Sequence, residues 1–145
     1  MSTPEIKLIT TQDGSHSLLR TDINETYHSF HGARTESLYV FIEQCLDYFF
    51  GESQSSRISI FEVGFGTGLN ALLAASYARD KGINIDFTTL EPIPVPLEIY
   101  QKLDFGFEAQ EHEMILKMHQ CDWEALQQLN ERFALAKHKT TLELF

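Results

Sequence analysis

Phe61-Glu62-Val63-Gly64-Phe65-Gly66-Thr67-Gly68-Leu69-Asn70 begins in an apolar, β-branched run (Ile58, Ile60, Phe61, Val63) and ends in three glycines at alternate positions. An amphipathic helical pattern starts at Leu69, so the stretch reads as strand, tight turn and helix. Glycine suits such a turn because, without Cβ atoms, main-chain N–H groups and the positive helix N-terminus can come close against a ligand. The turn is therefore a nucleotide-type cradle. The next apolar run (Ile85, Phe87, Leu90) closes on Glu91, where β-α-β folds place a carboxylate that accepts hydrogen bonds from ribose hydroxyls.

The spacing G-x-G-x-G lacks the third glycine of the dinucleotide fingerprint and carries Ala71 in its place, a variant that dinucleotide sites also accept. Glu62, two residues before the first glycine, and Asn70, just after the last, are more typical of sites for S-adenosylmethionine. That cofactor brings an ammonium and a sulfonium and no pyrophosphate. The candidate cofactor-binding residues are Glu62, Gly64, Gly66, Gly68, Asn70 and Glu91.

At 145 residues, 43% of them hydrophobic, the chain is about one domain's worth with material for a core. Its 21 acidic residues against 11 Lys and Arg give a net charge of −10, which opposes general nucleic-acid binding, so any RNA contact needs a local basic patch. Cys45 and Cys121 are far apart, with no C-x-x-C spacing and no secretory or membrane-length segment. These features fit a reduced cytoplasmic protein whose two thiols are small core side chains. His28 and His31 have no Cys or acid at compatible ligand spacing, so no metal site is expected.

Residues 1–56 read as an N-terminal unit. Ile6 to Ile9 and His16 to Arg20 flank Asp13-Gly14, a hairpin signal, and a polar connector, Thr21 to Thr35, follows. From Glu36 the positions Leu38, Phe41, Ile42, Cys45, Leu46 and Phe49 follow helical spacing, with Thr35 as N-cap and Gly51 as stop. Residues 57–145 then give a β-α-β unit. It comprises the first strand, a helix from Leu69 to Lys81 capped by Gly82, and a strand from Ile85 to Leu90. Three prolines (Pro92, Pro94, Pro96) stiffen the loop after Glu91, and Pro96 opens a helix reaching about Leu103. Glu108 to Met118 and Asp122 to Ala136 read as further helices, the second with Asp122 as N-cap and Trp123 as a core anchor. Thr140 to Phe145 reads as a third strand that stops with its apolar residues still running. The expected sheet has parallel strands in the order 3-2-1, as in the first half of a Rossmann-like domain truncated after the third strand. Its open edge would favour self-association.

Further motifs narrow the reading: Thr11-Gln12-Asp13-Gly14-Ser15, Glu25-Thr26-Tyr27-His28-Ser29, Gly32-Ala33-Arg34-Thr35-Glu36-Ser37 and Val40-Phe41-Ile42, all upstream of the glycine turn. In this order and spacing the chain resembles the MnmD/MnmC-type transfer-RNA wobble-uridine methyltransferases, closely over most of Thr10 to Glu91. The resemblance implies a Rossmann-like S-adenosylmethionine-dependent fold that N-methylates 5-aminomethyl-2-thiouridine in tRNA. It implies that Gly64, Gly66 and Gly68 lie under the methionine part of the cofactor, that Glu62 orients the loop or the ammonium group, and that Glu91 takes the ribose hydroxyls. Tyr27, His28, Ser29, Arg34 and Glu36 would form part of the base or RNA site. The family's carboxylate lies in an Asp-x-Phe-Ala-Pro type motif that this sequence does not contain, so the catalytic residue is unknown. Two other readings use the same turn: a nicotinamide- or flavin-nucleotide oxidoreductase fragment, and a non-catalytic RNA-binding or dimerising module.

Overall fold

A computed structural model describes residues 4–145 and divides their strands between two sheets. In the first, β1 (Ile6–Thr10) and β2 (His16–Arg20) pair antiparallel, Ile6 opposite Arg20 and Thr10 opposite His16, and the short β3 (Glu25–Thr26) joins the far side of β2. Asp13-Gly14 turns this hairpin as its sequence predicts, with Gly14 at φ +85°.

The side chains of that turn cap the helix that follows. Helix α1 (Ala33–Ser37) starts after Gly32, two residues before the expected N-cap Thr35. Its first three N–H groups have no partners within the helix. Ala33 N–H donates to Thr11 Oγ1 (3.1 Å), Arg34 N–H to Ser15 Oγ (3.0 Å) and Thr35 N–H to Asp13 Oδ2 (2.9 Å). Gly32 permits this contact, because a Cβ there would sit 2.5 Å from Asp13 Oδ2. Partial burial works against the Asp13 carboxylate, but hydrogen bonds from Ser15 and Thr35 outweigh it and hold the group well below the usual carboxylate range.

Helix α1 continues into a π-helical segment, Leu38–Asp47, and then α2 (Tyr48–Glu52), which passes through Gly51 instead of stopping there. The wider i→i+5 turn changes which residues face inward. Leu38, Ile42, Leu46 and Phe50 pack on the core, while Phe49 and Cys45 are exposed, so Cys45 is not the core thiol its spacing suggests.

The second sheet has the order β4-β5-β7-β6. Strands β4 (Arg57–Val63), β5 (Asn84–Leu90) and β7 (Phe133–His138) are parallel in the expected order 3-2-1, and β6 (Leu126–Gln128) is antiparallel to β7. The third strand is not Thr140 to Phe145, where Leu142–Leu144 form a 3₁₀ turn. Nor is Asp122 to Ala136 a helix. Asn130 Oδ1 accepts from the N–H groups of Arg132 and Phe133 (2.9 Å each), which folds the chain back between β6 and β7, and the ladder to β5 draws 133–138 into the sheet. The spacing of Leu126, Leu129, Phe133 and Ala136 suits a helix locally, but tertiary pairing overrides it. Asp122 accordingly caps nothing, and Trp123 is half-buried under the Lys137 ammonium, 4.4 Å from the ring centroid.

Helix α3 (Leu69–Lys81) ends at Gly82 (φ +69°) as expected, but it is not amphipathic: Leu69, Ala71 to Ala75, Tyr77 and Ala78 are all buried. It is flanked by β5, the N-terminal helical segment and α5 (Ala109–Gln120), so in its first turns only Asn70 keeps partial exposure. A short α4 (Leu97–Tyr100) follows Pro96. At the centre, the fully buried Phe87 lies against Phe41 (6.4 Å, edge-on) and Phe133 (5.9 Å). On the opposite face of the sheet Phe61, Val63 and Leu126 are exposed, Phe145 lies 5.7 Å from Phe61, and among the described residues β4 has no strand on its outer edge. No helix among these residues is long and apolar enough to cross a membrane.

Asp13→Ala should cost about 1–2 kcal/mol in urea unfolding, the usual value of a lost cap, and speed amide exchange at Thr35. The carboxylate's pKa is depressed in the folded state, so its contribution is present above about pH 4 and lost as pH falls through the folded value. The stability gap between variant and wild type should therefore narrow in acid.

Candidate functional site

Parallel pairing sets Glu62 beside Thr89 and Val63 beside Leu90, and the two strands deliver their C-terminal ends to one place. Gly64 N–H (2.8 Å) and Phe65 N–H (3.0 Å) both donate to the Leu90 carbonyl, Gly66 N–H donates to Glu91 Oε2 (2.8 Å) and Gly68 N–H to the Phe65 carbonyl (2.9 Å). Gly64, Gly66 and Gly68 all have positive φ, which L side chains rarely adopt. Two of them are also sterically closed. A Cβ on Gly66 would lie 2.9 Å from the Tyr27 ring, and one on Gly68 2.8 Å from Phe65 and 2.9 Å from Ile115.

Glu91 is buried and both its oxygens are engaged, Oε2 by Gly66 N–H and Oε1 by Ile93 N–H (2.9 Å). Burial raises its pKa, opposed by those two hydrogen bonds. In this conformation the carboxylate knits the turn to the proline-rich loop. Glu62 points to the helix-covered side of the sheet, where Thr89 Oγ1 (2.8 Å) and Asn70 Nδ2 (3.1 Å) donate to it. Burial pushes Glu62 up to about 7 against those hydrogen bonds, and the nearby Glu91 charge adds to the rise. The folded state thus favours protonated Glu62, and the group's contribution to stability is full below the ordinary carboxylate range and lost as pH rises through about 7.

Asn70 turns its amide nitrogen to Glu62 and leaves Oδ1 buried with no hydrogen-bond partner. A buried acceptor without a donor costs about 1–3 kcal/mol, so this oxygen calls for a partner such as a water, an ion or a ligand. Glu62 and Asn70 Oδ1 therefore set a carboxyl group and an unpaired acceptor side by side. They line a recess of about 50 Å³ together with Tyr27, His28, Gly64, Phe65, Gly66, Thr67 and Leu69. That volume suits an ammonium-sized group. A larger cavity, about 350 Å³, lies apart between α3, α5 and the β6–β7 turn. The larger cavity also holds an unpaired buried acceptor, Glu111 Oε2, so what sets the recess apart is that the strand ends and the glycines converge on it.

The connector that follows β3 closes this recess. Tyr27 covers Gly66, and His28 Nε2 lies 3.1 Å from Thr67 Oγ1, with burial lowering the His28 pKa. Of the candidates named from sequence, Tyr27, His28, Glu62, Gly64, Gly66 and Asn70 line the recess, and Gly68 and Glu91 shape the turn around it. Ser29, Arg34 and Glu36 do not line it. Ser29 N–H donates to Glu36 Oε2 (2.6 Å), while Arg34 donates to the Gly106 carbonyl (3.3 Å) and stacks 4.3 Å over Phe107. Sequence reasoning missed Thr89, the donor to Glu62, and also His119 and Lys137 behind the turn. Lys137 directly follows the stretch Asp122 to Ala136 that reads as a helix, so nothing in the sequence aimed it at the turn, and no spacing rule links His119 to residue 67. Among the described residues no three His, Cys, Asp or Glu side chains group to hold a metal ion.

Strand, glycine turn, helix and acid-ended second strand together define a mixed α/β architecture, here joined to an antiparallel sheet whose following connector lies over the turn. The crystal structure of MNMC2 from Aquifex aeolicus has this fold over 94% of the present chain, with a TM-score of 0.69 and 20% sequence identity. The chain spans 43% of that structure's length. No protein-family model matches the chain, and no curated protein sequence does.

Gly66→Ala combines a left-handed φ of +53° with contact on Tyr27, and should destabilise the protein by about 1–3 kcal/mol in thermal melts. Combining it with Tyr27→Ala should recover only the contact part. Full recovery in the double variant would show that the backbone conformation costs nothing.

Proposed function

We propose that this chain is part of a Rossmann-like S-adenosylmethionine-dependent methyltransferase acting on wobble uridine in tRNA. The carrying observation is the buried acceptor pair, Glu62 and Asn70 Oδ1, at a glycine turn in a fold like that of MNMC2. A cofactor with an ammonium at its amino-acid end suits that pair. A dinucleotide suits it less, since its pyrophosphate would meet a carboxylate and an amide oxygen. The upstream motifs around Asp13, Tyr27 and Gly32 and the turn itself resemble the MnmD/MnmC-type enzymes, and this carries the reading from cofactor to substrate. In this reading residues 57–145 are the first part of the methyltransferase domain, residues 1–56 close over its turn, and the setting is cytoplasmic, where tRNA is modified.

The residues divide the work. Glu62 and Asn70 would accept the ammonium, Gly64, Gly66 and Gly68 would let the backbone approach the amino-acid part, and Glu91 would release Gly66 N–H to accept ribose hydroxyls. Tyr27 and His28 would shield the bound head group from water. When bound, S-adenosylmethionine would supply an electrophilic methyl group to a neutral amine of the base. The catalytic carboxylate of the resemblance has no counterpart in this sequence, so no residue here is assigned to proton removal. The expected RNA contact has to overcome a net charge of −10 and falls to Arg34 and its neighbours.

Ammonium pairing needs ionised Glu62. Calorimetric affinity for S-adenosylmethionine should therefore rise with pH up to about 7 and then level off, falling below that by up to about tenfold per pH unit. Glu62→Gln should weaken binding and flatten this profile. Tighter binding of NAD than of S-adenosylmethionine would replace the proposal with the oxidoreductase reading.

A further inference from the structure

Two histidines grip Thr67 from opposite sides. His28 meets its hydroxyl at 3.1 Å, and His119, in the last turn of α5, meets its backbone carbonyl at 2.8 Å. A carbonyl only accepts, so Nε2 of His119 carries the proton. The ring stacks on Tyr100 (centroids 4.6 Å apart, 12° between planes) and meets Phe65 at 5.0 Å. Burial lowers its pKa to about 4, against the hydrogen bond to Thr67 and with the Lys137 charge, so the imidazole is neutral. Lys137 is fully buried on the same side of the sheet, and its ammonium donates to the His119 carbonyl (2.8 Å) and faces the Trp123 ring. That carbonyl lies at the C-terminal end of α5, where a cation is favoured.

The glycine turn gives this arrangement its purpose. The Thr67–Gly68 peptide is followed by a glycine at φ +80°, a residue that takes either sign of φ at little cost, so the peptide plane is free to rotate. His119 holds the carbonyl end of that plane, and the Phe65 carbonyl holds its N–H end at 2.9 Å.

We infer that His119 is a positioning residue, which locks the Thr67–Gly68 peptide plane and so presents the turn to the amino-acid end of the bound cofactor, with Lys137 anchoring the helix end that carries it. The cofactor part of this inference rests on the S-adenosylmethionine reading above, and the locked plane does not.

The test uses the full chain with two variants: His119→Gln keeps an N–H donor, and His119→Phe keeps the ring packing without one. In wild type, ¹⁵N NMR should show a slowly exchanging imidazole Nε2–H on His119. In His119→Phe, amide exchange at Thr67 to Leu69 should quicken about tenfold and S-adenosylmethionine affinity should fall about tenfold, while His119→Gln stays within about threefold of wild type in both. Unchanged exchange in His119→Phe, or equal losses in the two variants, would overturn the inference. If wild type binds no S-adenosylmethionine, the functional reading fails, and the exchange comparison still decides whether His119 locks the turn. Should His119→Phe not fold, Lys137→Met releases the helix end instead and should also quicken exchange at the turn; unchanged exchange there would count against the anchor.

Discussion

The register of β4 on β5 is the constraint from which the site follows. With Val63 opposite Leu90, one carbonyl, that of Leu90, receives the first two N–H groups of the glycine turn, and Glu91, one residue further on, reaches the third. The same register sets Thr89 beside Glu62 and supplies the carboxylate with a hydroxyl donor. A slip of one residue would put Glu62 and Thr89 on opposite faces of the sheet and take the hydroxyl donor from the carboxylate. The turn is therefore a product of strand pairing as much as of its glycines.

Around that ladder the N-terminal module works as a clasp. Thr11, Asp13 and Ser15 use a hairpin turn to satisfy the first N–H groups of α1, which fixes where the helix begins and, through it, where the connector carrying Tyr27 and His28 must run. His16 fastens the other side, its ring nitrogen accepting from Asp104 N–H (3.0 Å) and its backbone N–H donating to the Asp104 carbonyl (2.8 Å). Each contact is worth about 1 kcal/mol on its own. Together they bring an aromatic ring onto Gly66 and an imidazole onto Thr67, which no local preference of the connector would do.

The chemistry of the recess comes from burial. Glu62 titrates near neutrality because it is taken from water and given only neutral donors, with the like charge of Glu91 nearby. A cation offered to Glu62 and to the unpaired Asn70 oxygen would reverse this balance by ionising the acid. In the proposed function, that coupling would let the carboxylate at the strand end take part in selecting a charged head group.

The sequence by itself determined the elements whose causes are local. Asp13-Gly14 makes the hairpin, the glycines make the turn, Gly82 ends α3, and the apolar runs at Ile58 and Ile85 become adjacent parallel strands, because turn conformation and β-branched apolar runs act over a few residues. Glu62 and Asn70, which line the recess, were legible for the same reason, by their distance from the glycines, and Glu91 was legible as the residue that follows the second apolar run. Only the tertiary structure decided the rest. Phe133 and Ala136 fall in a helical spacing with Leu126 and Leu129, yet residues 133–138 join the sheet because pairing with β5 buries Phe133 and Leu135 fully. The N-terminal helix widens into a π-helical segment, and Cys45 turns to solvent while Leu46 and Phe50 pack inward. His119 and Lys137 meet the turn across 52 and 18 residues of chain, to Thr67 and to His119 respectively, through contacts made by packing that no periodicity encodes.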